Sequence, residues 1–159
     1  VLIPELIRAG LENASDTEAD VEKLYAARPA WYDLLSEILK PRTTVSPDVI
    51  EKARFLYEGD EVTFDEKSVS KSLAKEGAHT ILEAAHAMLS PVSQWTPVHI
   101  DEALEILPEQ LNLKKRVVFQ AIRVAECGNM VSPPLGESMA LLGKTTALIR
   151  LKRALAIAQ

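Results

Sequence analysis

The chain has 159 residues, 47% of them hydrophobic and 26% charged, with a formal net charge of −5. That length suffices to bury a core, and no apolar run approaches the roughly 18 residues of a membrane span, so a water-soluble protein with no membrane partner is expected. A single cysteine, Cys127, excludes an internal disulfide and a multi-thiolate metal site and fits a reducing, cytoplasmic location. The first residue is Val1, inside an apolar pattern and without a basic leader, which suggests a fragment of a longer protein.

In chain order, Leu2, Ile3, Leu6, Ile7 and Leu11 recur at helical spacing and predict a helix stopped at Gly10. Ser15 is the predicted N-cap of a helix through Val21, Leu24 and Tyr25, ending near Arg28-Pro29. Trp31, Leu34, Leu35, Ile38 and Leu39 mark another helix, which Pro41 ends by forcing the preceding residue out of the α region. Arg42 to Ser46 reads as a short exposed loop. Ser46-Pro47-Asp48 then combines a cap, a proline at the first helical position and an acidic first turn, opening a helix through Tyr57. Asp65 can cap a helix carrying Val69 and Leu73 as far as Gly77, and a close-packed helix with Ile81, Ala85 and Leu89 follows, ended by Pro91. Thr96-Pro97, with Asp101 and Glu102, repeats the cap-and-proline start for a helix through Leu104 and Leu107. Leu113, Val117, Val118, Ala121 and Val124 line a helix leading into a loop with Pro133 and Pro134, then a short helix stopped at Gly143 and a basic closing helix. No period-2 alternation, internal repeat or low-complexity segment occurs. The predicted fold is all-α, in two helical subdomains, residues 1–93 and 94–159, parted near Trp95 to Pro97.

Charge is unevenly distributed along this chain. From Lys114 onward, eight Lys/Arg (Lys114, Lys115, Arg116, Arg123, Lys144, Arg150, Lys152, Arg153) face only Glu126 and Glu137, a net +6, while the preceding residues sum to −11. A phosphate-binding face needs locally dense cations, not a basic total. The C-terminal third could supply one, and a proline-stiffened loop beside cations can hold a recognition surface. The plain alternative is a connector with a solvated basic face.

Sites for small-molecule chemistry are missing from the pattern. Gly143-Lys144-Thr145 resembles the end of a phosphate loop, but Ser138 replaces the glycine required five residues earlier and a helix precedes it where a strand should. His79 and His86 have no third ligand at metal spacing, so no metal is expected. The carboxylates follow first turns and exposed faces, and none is singled out as an acid or base.

The run Ser132-Pro-Pro-Leu-Gly-Glu-Ser-Met139, continuing through Leu142-Gly-Lys144 to Arg150-Leu-Lys-Arg-Ala-Leu155, resembles the C-terminal signature of bacterial-type glutamyl-tRNA synthetases, in their helical anticodon-binding domain. Glu51-Lys-Ala-Arg-Phe-Leu-Tyr57 and the opening Leu2-Ile-Pro-Glu-Leu-Ile-Arg-Ala-Gly-Leu11 are two further matches in the expected order. The resemblance implies an anticodon-binding α-helical cage whose partner is the anticodon stem-loop of tRNA(Glu). It also implies a covalently linked catalytic domain that uses ATP and Mg; the class I signature motifs of that domain are not in these residues, so the chain is not expected to aminoacylate by itself or to hold a cofactor.

By the same resemblance Arg123 matches an arginine near the first anticodon base, and Ser132, Pro133 and Leu135 match the loop that packs on the first two bases. Arg42, separated by eight residues from the matched run that begins at Glu51, matches an arginine that reads the third. A guanidinium has only donors, so it suits the acceptors of cytosine and rejects the donor edge of guanine, which separates glutamate tRNA from glutamine tRNA. Lys114, Lys115 and Lys144 are candidate phosphate contacts. Two departures stand out: Gly136 occupies a position that is often aromatic, which should free the loop, and Asn129 replaces a frequent lysine. The competing expectation is a helical protein-interaction domain that docks an acidic partner on its basic closing helix.

Overall fold

The structure, a computed structural model, describes residues 2–39 and 47–159. Among these residues there are eleven α-helices, one 3-10 turn and no strand, the all-α class expected. Arg42, its predicted exposed loop and the Ser46 cap lie outside the described residues. The chain forms two compact units, Val1–Tyr57 and Glu58–Gln159.

The smaller unit contains α1 (Leu2–Arg8), α2 (Glu18–Ala27), α3 (Pro29–Leu39), α4 (Pro47–Glu51) and the 3-10 turn Arg54–Tyr57. Its apolar interior is made by Leu2, Ile3 and Leu6 of α1, Tyr32, Leu35 and Leu39 of α3, and Ile50, Ala53 and Phe55. The cap of α2 is Thr17, not Ser15: the Thr17 hydroxyl accepts the Asp20 amide at 3.4 Å, and the Asp20 carboxylate accepts the Ser15 amide at 3.2 Å and its hydroxyl. Ser15 is therefore spent on the Asp20 side chain, two residues ahead of the cap. The continuous helix expected from Pro47 to Tyr57 breaks after Glu51 into a tighter turn, with Ala53 N–H on Ile50 O at 2.9 Å and Leu56 N–H on Ala53 O at 3.0 Å. Three residues per turn rotate the later side chains relative to an α-helix. Phe55 is buried, and the Tyr57 hydroxyl reaches Glu12 at 2.8 Å. The same Glu12 oxygen accepts Arg28 Nη2 and the Tyr32 hydroxyl, each at 2.6 Å, and the Arg28 guanidinium lies 3.9 Å over the Trp31 ring.

The larger unit holds α5 (Glu66–Lys71), α6 (Ala78–Leu89), α7 (Pro97–Glu105), α8 (Leu107–Leu111), α9 (Lys115–Cys127), α10 (Leu135–Leu142) and α11 (Lys144–Ala154). Helix α6 packs on α7, α9 and α11, and α10 closes over α7. The buried stripes have helical spacing: Ala78, Ile81, Leu82, Ala85 and Leu89 on α6, Val118, Ala121, Ile122 and Ala125 on α9, and Ala147, Leu151 and Ala154 on α11. Asp65 caps α5 as expected, accepting the Ser68 amide at 2.9 Å, but that helix stops at Lys71; Gly77, at φ +93°, opens α6. Thr96 and Pro97 start α7 as the sequence predicts.

Three further expectations are corrected here. The helix through Leu104 and Leu107 is interrupted at Ile106, because Pro108 has no N–H for the Leu104 carbonyl and its ring would crowd that oxygen. Leu113 precedes α9, separated from α8 by Asn112 in the left-handed region at φ 54°. The proposed break near Trp95 is no boundary between compact units: Trp95 packs on the larger unit's core and its indole N–H donates to Met139 O at 2.7 Å, tying the segment to α10.

Helix α9 ends at Gly128, at φ +77°, where any Cβ would overlap the Thr63 carbonyl oxygen. Gly128→Ala should therefore cost more than the 1–2 kcal/mol or so of the left-handed conformation alone. Gly10→Ala, at φ +73° in open space, should lose only that conformational part. Urea denaturation of both variants beside the parent checks the difference.

Candidate nucleic-acid interface

Residues 128–134 join α9 to α10 and include both adjacent prolines. Prolines cannot donate, so the proline end of this loop is held through its carbonyls. Pro133 O accepts Arg123 Nη1 at 2.7 Å, the Ser132 hydroxyl at 2.9 Å and the Ser138 hydroxyl at 3.2 Å. Arg123 Nη1 also donates to the Ser132 hydroxyl and lies 3.4 Å from Ser132 O. The structure thus brings Arg123, Ser132 and Pro133 together. Arg123 commits Nη1 to bracing the loop; its Nε and Nη2 make no hydrogen bond among the described residues.

Leu135, assigned as an apolar platform, is 4% exposed and belongs to the core. The Pro133 ring is buried as well. The exposed apolar surface of the loop is Val131, 80% exposed, together with Pro134. Gly136 does not loosen the loop, because it is buried in the first turn of α10, where a side chain would overlap the Asp101 carboxylate. Burial, then Glu137 and Glu105, raise the Asp101 carboxyl above the ordinary carboxylate range, with Lys115 opposing. Asn129 is also structural in effect: its side-chain oxygen accepts the Val131 amide at 3.0 Å.

The cationic third is less basic at the surface than its composition. Lys144 donates to Ser90 O and Val92 O, each at 2.7 Å, closing the carbonyls after α6, so a phosphate contact there would have to break those bonds. Lys115 pairs with Glu105 and Arg153 with Glu61. Arg150 is 1% exposed. Lys114 and Arg116, at the exposed start of α9, and Lys152 make no ion pair among the described residues. The closing helix α11 therefore presents little of the basic face that the protein-docking alternative requires.

Beneath the loop lies a pair that the charge count did not reveal. Arg150 donates Nε to Gly59 O at 2.8 Å and Nη1 to Glu126 O at 2.6 Å, while both carboxylate oxygens of Glu126, fully buried, have no hydrogen-bond partner. Burial outweighs the charge of Arg150 and pushes the Glu126 carboxyl well above its ordinary value. The signal was present in the register: Arg150 continues the Ala147, Leu151, Ala154 stripe, and Glu126 stands four residues after Ile122 on α9. Cys127, buried alongside, has its thiol pushed up to about 12 by burial, which leaves it an unreactive packing residue. Among the described residues no group of His, Cys, Asp and Glu could hold a metal, and no helix is long and apolar enough to cross a membrane.

Two solved structures share this architecture. The glutamate-tRNA synthetase from Elizabethkingia anophelis matches with a TM-score of 0.68 over 98% of this chain and 29% of its own, at 20% identity. A glutamate tRNA ligase from Elizabethkingia meningosepticum matches at 0.61 over 93% and 34%, at 16% identity. By its fold, then, this is a helical domain of the class those synthetases carry. Residues 7–155 match the family described as the anticodon binding domain, and the chain belongs to that family. Curated relatives include the glutamate–tRNA ligases of Saccharopolyspora erythraea, 37% identical over 152 residues, and Corynebacterium glutamicum, 42% identical over 135. These matches take in 95% and 80% of this chain but only 28% and 27% of the relatives, so the chain spans just over a quarter of their length.

The raised Glu126 carboxyl couples stability to pH. Unfolding exposes the acid, which then ionises at its ordinary value, so the parent should lose stability as pH rises from the ordinary carboxylate range toward the raised folded value. Below that window both states hold the proton and the effect vanishes. Glu126→Gln removes the linkage: thermal melts at a series of pH values should show the variant gaining on the parent as pH increases, and a constant difference would contradict the assignment.

Proposed function

We propose that the chain is the anticodon-reading part of a glutamate–tRNA ligase, gripping the anticodon loop of tRNA(Glu) in the cytoplasm. A covalently linked catalytic domain would attach glutamate there with ATP and Mg. The observation that carries this reading is the coincidence of the family match with a braced, partly apolar loop. The donors that Arg123 leaves over fit the acceptor edge of the first anticodon base. The Ser132 hydroxyl offers a further contact to base edges, and the exposed Val131 and Pro134 take the stacking role first assigned to Leu135. Lys114 is the candidate for a backbone phosphate, and Arg42 is the reader of the third base.

Two substitutions test the reading against a protein-docking module, which has no reason to discriminate bases. Arg42→Gln should flatten the preference for cytosine over guanine at the third anticodon position while leaving the melting temperature unchanged. Titration of stem-loops differing only there decides it, and equal preference in parent and variant would refute the role. Arg123→Ala should weaken stem-loop binding by about 1–3 kcal/mol, the worth of a base-edge contact. An unchanged titration would confine Arg123 to other roles.

A further inference from the structure

The loop that Arg123 braces at its far end is held at its near end by the turn that opens α5. The Asp65 amide donates to Gly128 O at 2.8 Å. The Ser68 hydroxyl, on a residue 2% exposed, donates its one proton to the Asp65 carboxylate at 2.7 Å and keeps a lone pair for the Met130 amide at 3.1 Å. Asn129 Oδ1 lies 3.4 Å from the same hydroxyl and accepts the Val131 amide at 3.0 Å. Two flanks are therefore anchored independently, Asn129 and Met130 on the α5 side and Ser132 and Pro133 on the α9 side, with Val131 between them at 80% exposure. A short apolar crest tied on both flanks keeps its ordering cost out of the binding step.

We infer that Ser68, some sixty residues away in the chain, is a positioning residue for base recognition, acting with Asn129 to fix the crest at Val131 without itself touching RNA. The inference rests on the anticodon reading above. Ser68→Ala leaves the Met130 amide without its acceptor, whereas the bonds of the Arg123 brace to Ser132 and Pro133 do not involve Ser68, and Arg42, the proposed reader of the third base, is unchanged in sequence. Freed of that tie, the crest must be ordered during binding, so stem-loop affinity should fall by up to roughly tenfold, and the preference at the first two anticodon positions only should flatten.

Ser72→Ala is the matched control: Ser72 is 6% exposed and its hydroxyl donates to Ser68 O at 2.6 Å, with no bond to the loop. Asn129→Ala, at an exposed position, tests the same flank should Ser68→Ala fail to fold. The experiment titrates the whole chain and these variants with stem-loops altered singly at each of the three anticodon positions. Loss of first- and second-base preference in Ser68→Ala, or in Asn129→Ala as its substitute, with the third-base preference kept and Ser72→Ala like the parent, supports the role. Parent-like preference in the loop variants, or equal losses in Ser72→Ala, overturns it while the anticodon reading stands. A parent chain indifferent to all three positions takes both down.

Discussion

A buried guanidinium governs the larger unit. Arg150 lies almost wholly out of water, and a cation in that position is tolerated only if its donors find acceptors. It finds backbone: Gly59 O where the unit begins and Glu126 O in the last turn of α9. Those bonds fix the end of α9, and α9 delivers Gly128 against Thr63 with no room for a side chain. The position of the following loop is thus inherited from the core. The neighbouring Glu126 carboxyl has no donor on either oxygen, and burial, opposed by the charge of Arg150, raises it well above its ordinary value.

On that foundation the proposed recognition surface is a matter of placement more than of bulk charge. Of the eight cations in the C-terminal third, Arg150 is interior, Lys144 holds carbonyls, Lys115 and Arg153 have acidic partners, and Arg123 braces a loop. What reaches solvent around residues 128–134 is a small apolar crest, the Asn129 side chain, a hydroxyl and part of one guanidinium. Such a surface suits unstacked bases, which offer flat faces and hydrogen-bonding edges, better than a uniformly charged helix.

Much of this was legible in the sequence where local chemistry decides structure. Thr96-Pro97 and Asp65 start helices because a cap oxygen and a missing donor act within one turn, and the apolar spacing of α6 and α9 marks their buried faces. The nearness of Arg123 to Ser132 and Pro133 was legible only through the family resemblance. Legibility failed where a distant group competes. Lys144 was taken by the carbonyls after α6 and Leu135 by the core, partners that cannot be read from neighbours in sequence, whereas Ser15 was taken by Asp20 only five residues on. The break at Pro108 is local chemistry instead: the missing N–H and the ring act on the Leu104 carbonyl within one turn, against an apolar spacing that runs on through Leu107.

The Glu12 carboxylate in the smaller unit carries its own consequence. One oxygen serves Arg28 at the end of α2, Tyr32 on α3 and Tyr57 on the 3-10 turn, while the chain around Glu12 continues from α1. Ligands that share an acceptor do not contribute separately, because withdrawing one lets the others shorten or shift. Double-mutant cycles among these donors would be strongly non-additive. In a unit this small, that one shared acceptor couples the end of α2, helix α3 and the 3-10 turn, so loosening any one of the three alters the hold on the other two.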